Sequence, residues 1–339
     1  MFGEREGRDV DRAMLAQECT AAARRGAEWI CSQMAVDGAL GEGVLHCYKA
    51  PWALASAGRP AEANRLLDWI ARHAMPAPGQ FHLGDDTVEL QRASTYRNAW
   101  IMIGAQALGR WDVVSRTAEA DFLAHQHASG AFHSDQAKSP NLFFNMNHTA
   151  FGGLWCLYRG QTEAARRAAD TVVRHLELQP DLASKYVIPW TAEGGVIDQP
   201  TPDQVMTYDR AEGHFFYWGT PAAFLTQAAL YLGEPRYLCA AATLEKLALR
   251  LPDAFDRWPS SGKLAWGAAW LYRVTGQPLW EELAGRVTRC CLLDSQQPDG
   301  CWPEFVVRLG GLRPYAEPAT AITSEFTLLC TQIAGCLAR

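Results

Sequence analysis

The chain has 339 residues, of which 48% are hydrophobic and 20% charged, a balance typical of a folded globular protein rather than a disordered one. Its 31 basic and 37 acidic residues give a net charge of -6 without a basic run, so we expect neither nucleic acid nor a membrane as a partner. The mean hydropathy is -0.16, and polar residues interrupt every apolar stretch before roughly 18 residues, the length that could span a bilayer. The charged opening, MFGEREGRDVDRAM, lacks the apolar core of a signal peptide, so we expect a cytoplasmic protein.

The ten cysteines follow no disulfide or zinc-binding pattern. A chain expected in the cytoplasm keeps its thiols reduced, and no C-x-x-C spacing occurs. Cys47, beside His46, is the cysteine best placed to act as a ligand or nucleophile, and a small buried core residue is the alternative. We therefore expect no metal and no other cofactor.

Five glycines recur in a common context along the chain. Each follows an apolar stretch of small residues and precedes an amphipathic stretch, at Gly58, Gly109, Gly160, Gly233 and Gly276. Glycine suits the left-handed position that ends a helix, and the Pro or acidic residue soon afterwards suits the first turn of the next helix. The pattern predicts helix hairpins of about fifty residues, of which roughly six to seven fit the chain.

A second pattern, with Gln, Gly and an aromatic residue, follows the second helix of several hairpins. Its sharpest copy is Gln296-Gln297-Pro298-Asp299-Gly300-Cys301-Trp302, with weaker copies at 33–40 and 126–132. The Q-x-x-D-G-x-W sequence at 296–302 resembles the repeat signature of the terpene cyclase and protein prenyltransferase toroids. The resemblance implies an all-α fold, an (α/α)6 barrel or toroid, in which inner helices surround a central cavity and outer helices pack against them. The same ring also carries glycoside hydrolases and sugar epimerases, so the function must be argued from the site.

One domain is expected over residues 1–339, because the chain has no linker or shift in composition. A long insertion near 186–211 is rich in Pro, Gly and polar residues and is a candidate lid or cavity rim, with an idle surface loop as the alternative. The short apolar runs KYVIPW and EFVVRL are expected to form loop ribbons at most.

The resemblance implies that catalytic groups lie where the inner helices begin. The segments expected there are rich in polar and aromatic residues and span 46–52, 84–100, 144–153, 208–221, 260–270 and 322–329. Polar groups on the wall of a central cavity are costly unless they meet a ligand, water or one another.

The candidate catalytic residues come from three of these segments. Glu212 and His214 are two residues apart and could share acid-base work, while Asp209 joins them or serves in a helix-capping network. His148 is expected on an inner-helix face, where a core histidine is the alternative. Asp85 in Asp85-Asp86-Thr87 resembles the acid of class II terpene cyclases, but Leu83 replaces the first Asp of that motif, and the alternative is a helix N-cap role for Asp86.

The candidate substrate-binding residues are aromatic or cationic side chains in or just after the same segments. They are Tyr48, Tyr96, Arg97, Trp100, Trp155, Arg210, Tyr217 and Trp218. Aromatic rings can stabilise a carbocation through their π faces or stack on a sugar, so they do not discriminate between these two substrates. An arginine can bind a polar group of either substrate.

These observations predict a small metal-free isomerase, cyclase or lyase. It would act on a largely apolar, terpenoid- or polyketide-like metabolite by acid-base or carbocation chemistry in a central aromatic cavity. The alternative is a carbohydrate-active (α/α)6 enzyme, either a glycoside hydrolase, a lyase or a sugar epimerase. A non-catalytic binding protein is a third hypothesis, and it predicts a plugged cavity. The expected partner is a small-molecule substrate, and self-association into a homo-oligomer is left open.

Overall fold

Helices dominate the part of the chain that the structure describes. A computed structural model of the protein describes residues 12–41, 43–75, 77, 81, 94–133, 144, 146–191, 195–307 and 315–338. Within these residues the helices form two concentric rings, in which alternate helices along the chain belong to the inner and the outer ring. The predicted all-α (α/α)6 toroid is confirmed.

The helices alternate regularly between the two rings. In chain order they are α1 (Arg12–Gln33), α2 (Val44–Cys47), α3 (Ala50–Ser56), α4 (Pro60–His73), α5 (Ser94–Ala107), α6 (Arg116–Ala124), α7 (Met146–Arg159), α8 (Thr162–Glu177), α9 (Phe216–Leu232), α10 (Pro235–Ala248), α11 (Gly262–Thr275), α12 (Pro278–Val287) and α13 (Ala319–Leu337). The odd-numbered helices from α3 to α13 form the inner ring, in which each packs on the next and α13 packs on α3. The outer ring consists of α1 and the even-numbered helices from α4 to α12, and α1 packs along α13 to close it. None of the described helices combines the length and apolarity that a membrane crossing needs.

The predicted glycine turns connect each inner helix to the outer helix that follows it. All five glycines have a positive φ, between 64° and 79°, which places them in the left-handed region: Gly58, Gly109, Gly160, Gly233 and Gly276. These turns all lie at one end of the ring. The inner helices therefore all begin at the opposite end, where the polar segments were expected.

The loop at 296–302 fastens the ring at its closure. The Gln296 side-chain amide donates hydrogen bonds to the carbonyl of Ala22 in α1 at 2.9 Å and to that of Gly300 at 3.0 Å. Trp302 is fully buried, and its backbone N–H donates to the Thr323 hydroxyl of α13 at 2.9 Å. The loop thus binds one outer and one inner helix at once.

The weaker copy at 126–132 makes the same set of contacts. Gln126 donates to the carbonyls of Gly130 at 3.0 Å and Ala164 of α8 at 2.9 Å. The backbone N–H of Phe132 donates to the Thr149 hydroxyl of α7 at 3.1 Å. The repeated sequence pattern therefore corresponds to a repeated contact between a loop and the next helix hairpin.

We expect Gly300→Ala to lower the free energy of unfolding by about 2–5 kcal/mol. Gly300 has a φ of +96°, and an added Cβ would lie 2.5 Å from the backbone oxygen of Arg25. Left-handed strain costs roughly 1–2 kcal/mol, and forcing atoms into a packed contact costs about 1–3 kcal/mol more. Gly58→Ala is the control, because Gly58 has a φ of +78° but nothing within 4 Å of the added Cβ. Equal losses for the two variants in urea unfolding would contradict the close approach at Gly300.

Two short antiparallel ribbons lie in the loops, as the sequence predicted. The first pairs β1 (Lys185–Val187) with β2 (Val205–Thr207), within the long insertion. The second pairs β3 (Phe305–Val307) with β4 (Tyr315–Glu317), which leads directly into α13. The second ribbon therefore positions its last residue beside the start of an inner helix.

Four aromatic rings fill the middle of the inner ring. The ring centroids of Trp52 and Trp100 are 5.1 Å apart, and those of Trp100 and Phe151 are 5.2 Å apart. Trp266 completes the circuit, at 6.4 Å from Phe151 and 6.5 Å from Trp52. Such edge-to-face and offset contacts are the preferred geometry of aromatic pairs. This aromatic cluster closes the ring one helical turn below the starts of the inner helices.

Candidate active site

A cavity of about 750 Å³ lies at the end of the ring where the inner helices begin. Its polar floor is formed by side chains of α5, α7, α11 and α13 and of the segments that precede α3 and α13. Apolar and aromatic side chains also line it, namely Phe216, Trp258, Phe305, Ile322 and Phe326. The cavity therefore offers both polar contacts and a surface for rings or apolar groups.

Four buried charged residues form an alternating chain at the floor of the cavity. The Lys49 ammonium donates hydrogen bonds to the carboxylate of Glu317 and to Oε2 of Glu325, the latter at 2.5 Å. The Lys263 ammonium lies 2.6 Å from Oε1 of Glu325. All four residues are at most 8% exposed. We call this set the charged cluster: Lys49, Glu317, Glu325 and Lys263.

Two tyrosines connect the ends of the charged cluster. The Tyr48 hydroxyl donates to Oε1 of Glu317 at 3.1 Å, and the Lys263 ammonium donates to the Tyr96 hydroxyl at 3.3 Å. The rings of Tyr48 and Tyr96 meet edge to face with centroids 5.9 Å apart. The cluster and the two tyrosines thus close into a circuit of contacts.

Helix packing fixes the position of Lys263 at the start of α11. A Cβ added to Gly219 of α9 would lie 2.2 Å from the backbone carbonyl of Lys263, so α9 and α11 approach as closely as their backbones allow. Only glycine fits at this crossing. Because Lys263 is the second residue of α11, its side chain extends towards the cavity rather than into the aromatic cluster below.

The two lysines differ in how firmly they hold their protons. Burial opposes the charge of Lys49, but Glu317 and Glu325 outweigh it and raise the pKa of Lys49 well above its usual range. For Lys263 the effect of burial dominates, and its pKa is lowered despite the contact with Glu325. Burial also opposes the charge of Glu325, yet Lys263 and Lys49 lower its pKa to about 2. Glu325 is therefore a carboxylate at neutral pH, and Lys263 is the lysine that loses its proton more readily.

His148 faces the same cavity from the start of α7. Burial, together with the nearby His133, lowers the pKa of His148 from 6.5 to about 4. Its ring centroid is 6.4 Å from that of Tyr96. The imidazole is therefore neutral at physiological pH and can accept a proton from a ligand in the cavity.

The segment at 208–221 forms the mouth of the cavity rather than its floor. Arg210 and Glu212 are exposed, whereas His214 and Tyr217 are partly buried with ring centroids 6.2 Å apart. Glu304 lies on the cavity wall as well, next to β3. The end of the long insertion, at Arg210, thus contributes to the rim.

Seven of the residues predicted from the sequence line this cavity. They are Tyr48, Tyr96, His148, Arg210, Glu212, His214 and Tyr217. They come from four of the six expected segments, so the starts of four inner helices meet at one cavity, while the catalytic and binding roles stay predictions.

The other predicted residues lie elsewhere. Arg97, Trp100, Trp155 and Trp218 are at most 1% exposed and are absent from the described cavity wall. Trp100 belongs to the aromatic cluster below the cavity, and Trp155 packs on Phe122 of the outer helix α6 with centroids 4.7 Å apart. Trp218 packs on Tyr186 of β1 with centroids 6.0 Å apart. These large side chains fill the space between helices and ribbon instead of facing the cavity.

The two remaining aspartates have different outcomes. Asp209 is exposed and accepts a hydrogen bond from the Thr207 hydroxyl at 2.5 Å, which lowers its pKa, so it stabilises the turn after β2 outside the cavity. Asp85 lies outside the described residues.

Sequence reasoning missed all four members of the charged cluster. Three of them lie in segments that had been singled out as inner-helix starts: Lys49 in 46–52, Lys263 in 260–270 and Glu325 in 322–329. The signal that could have identified them is the single Lys or Glu in each of these segments, at the start of an inner helix. Glu317 lies outside those segments, at the end of β4, where it pairs with Phe305 of β3 directly before α13 begins.

Among the residues that the structure describes, no group of three or more His, Cys, Asp or Glu side chains is arranged to hold a metal ion. Burial raises the pKa of the Cys47 thiol to about 12, although Arg97 acts in the opposite direction. The thiolate form that a metal or an electrophile would need is therefore disfavoured at Cys47.

No family model matches the sequence, and no curated protein does either. The fold is similar to that of cellobiose 2-epimerase from Spirochaeta thermophila, with 14% identity over 96% of this chain and 99% of that one and a TM-score of 0.65. It is also similar to a D-mannose isomerase, with 11% identity over 94% and 97% of the two chains and a TM-score of 0.64.

A type II terpene cyclase from Scytonema shares the same architecture. Its identity to this chain is 11%, over 96% of this chain and 99% of that one, with a TM-score of 0.59. The ring that the Q-x-x-D-G-x-W resemblance implied is thus found in this structure, while the terpene cyclase and prenyltransferase family itself stays a prediction. At these identities the chain is shown to share the (α/α)6 toroid fold with these proteins and nothing finer.

Proposed function

We propose that the protein is an enzyme, an isomerase that moves a proton between neighbouring carbon atoms of a small uncharged carbonyl compound. The observation that carries the proposal is the charged cluster at the floor of the cavity. Burying ionised groups costs several kcal/mol each, and well-packed apolar residues would often stabilise a core as well or better. Charged groups with shifted pKa values beside a cavity are therefore expected where they act on a ligand.

The residues around the cavity can divide the work of such a reaction. Lys263 and Tyr96 would engage the carbonyl oxygen, on which negative charge develops as the neighbouring carbon loses its proton. His148 would accept that proton, because its imidazole is already neutral at physiological pH. Tyr96 has contacts to both, since its ring lies beside His148 and its hydroxyl beside Lys263.

The charges on the wall favour an uncharged substrate. Four carboxylates, those of Glu212, Glu304, Glu317 and Glu325, stand among the described lining residues against two lining cations, Arg210 and Lys263, and the buried Lys49 behind them, so that one negative charge is in excess. An anionic substrate would meet net repulsion, whereas hydroxyl groups could donate hydrogen bonds to the carboxylates. Together with the aromatic residues of the wall, this supports a sugar as the substrate. The similar fold of a cellobiose epimerase and a mannose isomerase is consistent with the proposal.

A cyclase or lyase acting on a largely apolar metabolite is the second candidate, because several of the residues that line the cavity are apolar or aromatic. Aromatic rings such as Phe216, Trp258 and Phe326 could stabilise a carbocation. Such a reaction must start from a protonated acid. Glu325 is ionised in contact with two lysines, so the acid would have to come from outside the charged cluster.

Deuterium exchange tests the proposal directly. We expect the protein to isomerise D-mannose or cellobiose in D2O and to introduce deuterium at the carbon next to the carbonyl, as seen by proton NMR. His148→Ala should abolish the exchange. The control variant Lys246→Met, at an exposed position away from the cavity, should not. If neither sugar changes and the terpenoid aldehyde citral is cyclised, the second candidate replaces the first.

The pH dependence of the reaction distinguishes His148 from an ordinary histidine. Since burial lowers the pKa of His148 to about 4, the base form persists well below its usual value of 6.5 and is lost only as the pH falls through about 4. We expect kcat/KM, which reports groups of the free enzyme, to decline on the acid side near pH 4. A decline centred near pH 6.5 would contradict the role of His148.

A further inference from the structure

We propose that Lys263 binds the substrate covalently, as an iminium ion formed between its ε-amino nitrogen and an aldehyde or ketone carbon. The inference rests on the proposed function and deepens it, since an enzyme of this kind could also hold the carbonyl by hydrogen bonds alone. Three features of the charged cluster favour the covalent form. Lys263 lines the cavity, its ammonium contacts the Tyr96 hydroxyl, and Glu325 binds a second cation, Lys49, in addition to Lys263.

Lys263 is the lysine of the cluster that lines the cavity. Its ammonium lies 5.4 Å from the ring centroid of Phe216 and 5.6 Å from that of Tyr96. Lys49, by contrast, is 1% exposed and lies behind the two glutamates. A carbonyl compound in the cavity therefore reaches the Lys263 nitrogen first.

The duplicated cation allows Lys263 to become neutral without stranding a buried charge. Glu325 binds Lys263 through Oε1 at 2.6 Å and Lys49 through Oε2 at 2.5 Å. When Lys263 loses its proton, Lys49 still pairs with Glu325. A neutral amine is the nucleophile that attacks a carbonyl, and burial near a second ammonium is a recognised way to obtain one. The lowered pKa of Lys263 agrees with this arrangement.

The step balances in atoms and charge. The ammonium gives up a proton, and the free amine attacks the carbonyl carbon, so that a C–N bond forms and the C=O π pair moves to oxygen. The oxygen takes up two protons in total and leaves as water. Counted from the ammonium, and including its first proton, the nitrogen loses two hydrogens, and the iminium nitrogen carries the single positive charge. Tyr96, whose hydroxyl is 3.3 Å from the nitrogen, can carry a proton between the two atoms. The resulting iminium lies beside Glu325, and it acidifies the neighbouring C–H more strongly than a hydrogen-bonded carbonyl does.

Reductive trapping on the full chain tests the inference. The protein is mixed with glyceraldehyde or D-mannose and sodium cyanoborohydride, and the modified lysines are located by peptide mass spectrometry. The sequence has only five lysines, at 49, 138, 185, 246 and 263, so each can be followed separately. We expect Lys263 to be modified faster than the exposed Lys246, because burial lowers the pKa of Lys263 and leaves more of its amine neutral. Modification of Lys263 no faster than that of Lys246 would overturn the inference.

Lys263→Arg separates this inference from the proposed function. Arginine keeps the positive charge but forms no iminium under these conditions, so we expect the variant to lose the fast modification and at least about 100-fold of kcat, as for loss of a group that stabilises the transition state. Lys246→Arg is the matched control and should change neither. Isomerase activity retained in Lys263→Arg would overturn the iminium and leave the proposed function standing. Fast trapping at Lys263 without isomerisation of either sugar would overturn the proposed function and leave the iminium at Lys263 standing. Should the variant fail to fold, the lysine rates of the unmodified protein decide the question.

Discussion

Lys49→Met should lower the free energy of unfolding by about 3–5 kcal/mol, the range measured when one partner of a buried ion pair is removed. Lys49 is almost fully buried and contacts both glutamates of the charged cluster. Glu325 keeps Lys263 in the variant, but Glu317 keeps only the Tyr48 hydroxyl among its described partners. The loss therefore comes mainly from an uncompensated carboxylate at Glu317, and urea unfolding measures it.

The double variant Lys49→Met/Glu317→Gln is the control for this explanation. Removing both charges leaves no stranded carboxylate, so the double variant should be more stable than Lys49→Met alone. A loss equal to the sum of the two single losses would show that the residues do not act as a pair.

The single variant Lys49→Met should also change how the stability of the protein depends on acid pH. Lys263 and Lys49 together lower the pKa of Glu325 from 4.5 to about 2, so the stability that Glu325 provides is present above about pH 4.5 and lost as the pH falls towards 2. With Lys49 gone, one of the two cations that lower this pKa is missing, so the acid-induced loss should be smaller and should be complete at a higher pH. An unchanged acid profile between pH 5 and 2 would contradict the coupling.

Lys263→Met should show the opposite pattern, with a large effect on activity and a smaller one on stability. Glu325 retains Lys49 in this variant, so no buried carboxylate is left unpaired. The substrate, however, loses the cation that faces the cavity, and we expect kcat to fall at least about 100-fold, the effect of removing one group that stabilises developing charge.

Comparing these two lysine variants is the sharpest test of the site, because the same substitution is made in both. In urea unfolding, Lys49→Met should lose more stability than Lys263→Met. In steady-state kinetics, Lys263→Met should show the larger loss of kcat for a given loss of stability. Lys246→Met, an exposed position, should be close to the unmodified protein in both. The explanation fails if Lys263→Met costs as much stability as Lys49→Met.

The architecture could be predicted from the sequence because it depends on local features. Gly58 and Gly276 end helices through their own backbone conformation, and the spaced pair of Gln296 and Gly300 recurs as Gln126 and Gly130. Each of these signals is contained in a few consecutive residues. A repeated local signal is enough to define a ring of hairpins.

The site could be predicted only in part, because it depends on depth within the ring and on contacts between distant residues. Tyr96 and Trp100 are one helical turn apart on α5, yet the first lines the cavity and the second belongs to the aromatic cluster. Lys49 and Glu317 are 268 residues apart and meet only when the ring closes. Neither the depth of a residue within the ring nor a contact between residues so far apart in sequence produces a pattern in the local sequence.

The closure of the ring by α1 and α13 has a consequence for the order of events during synthesis. The two glutamates of the charged cluster are translated 268 and 276 residues after Lys49. At about 5–20 residues per second, the growing chain carries that lysine without its partners for more than about ten seconds. Throughout this interval α1 also lacks the inner helix against which its apolar face packs. The apolar face of α1 therefore stays without its partner until α13 is translated, and during that interval chaperone binding would protect it.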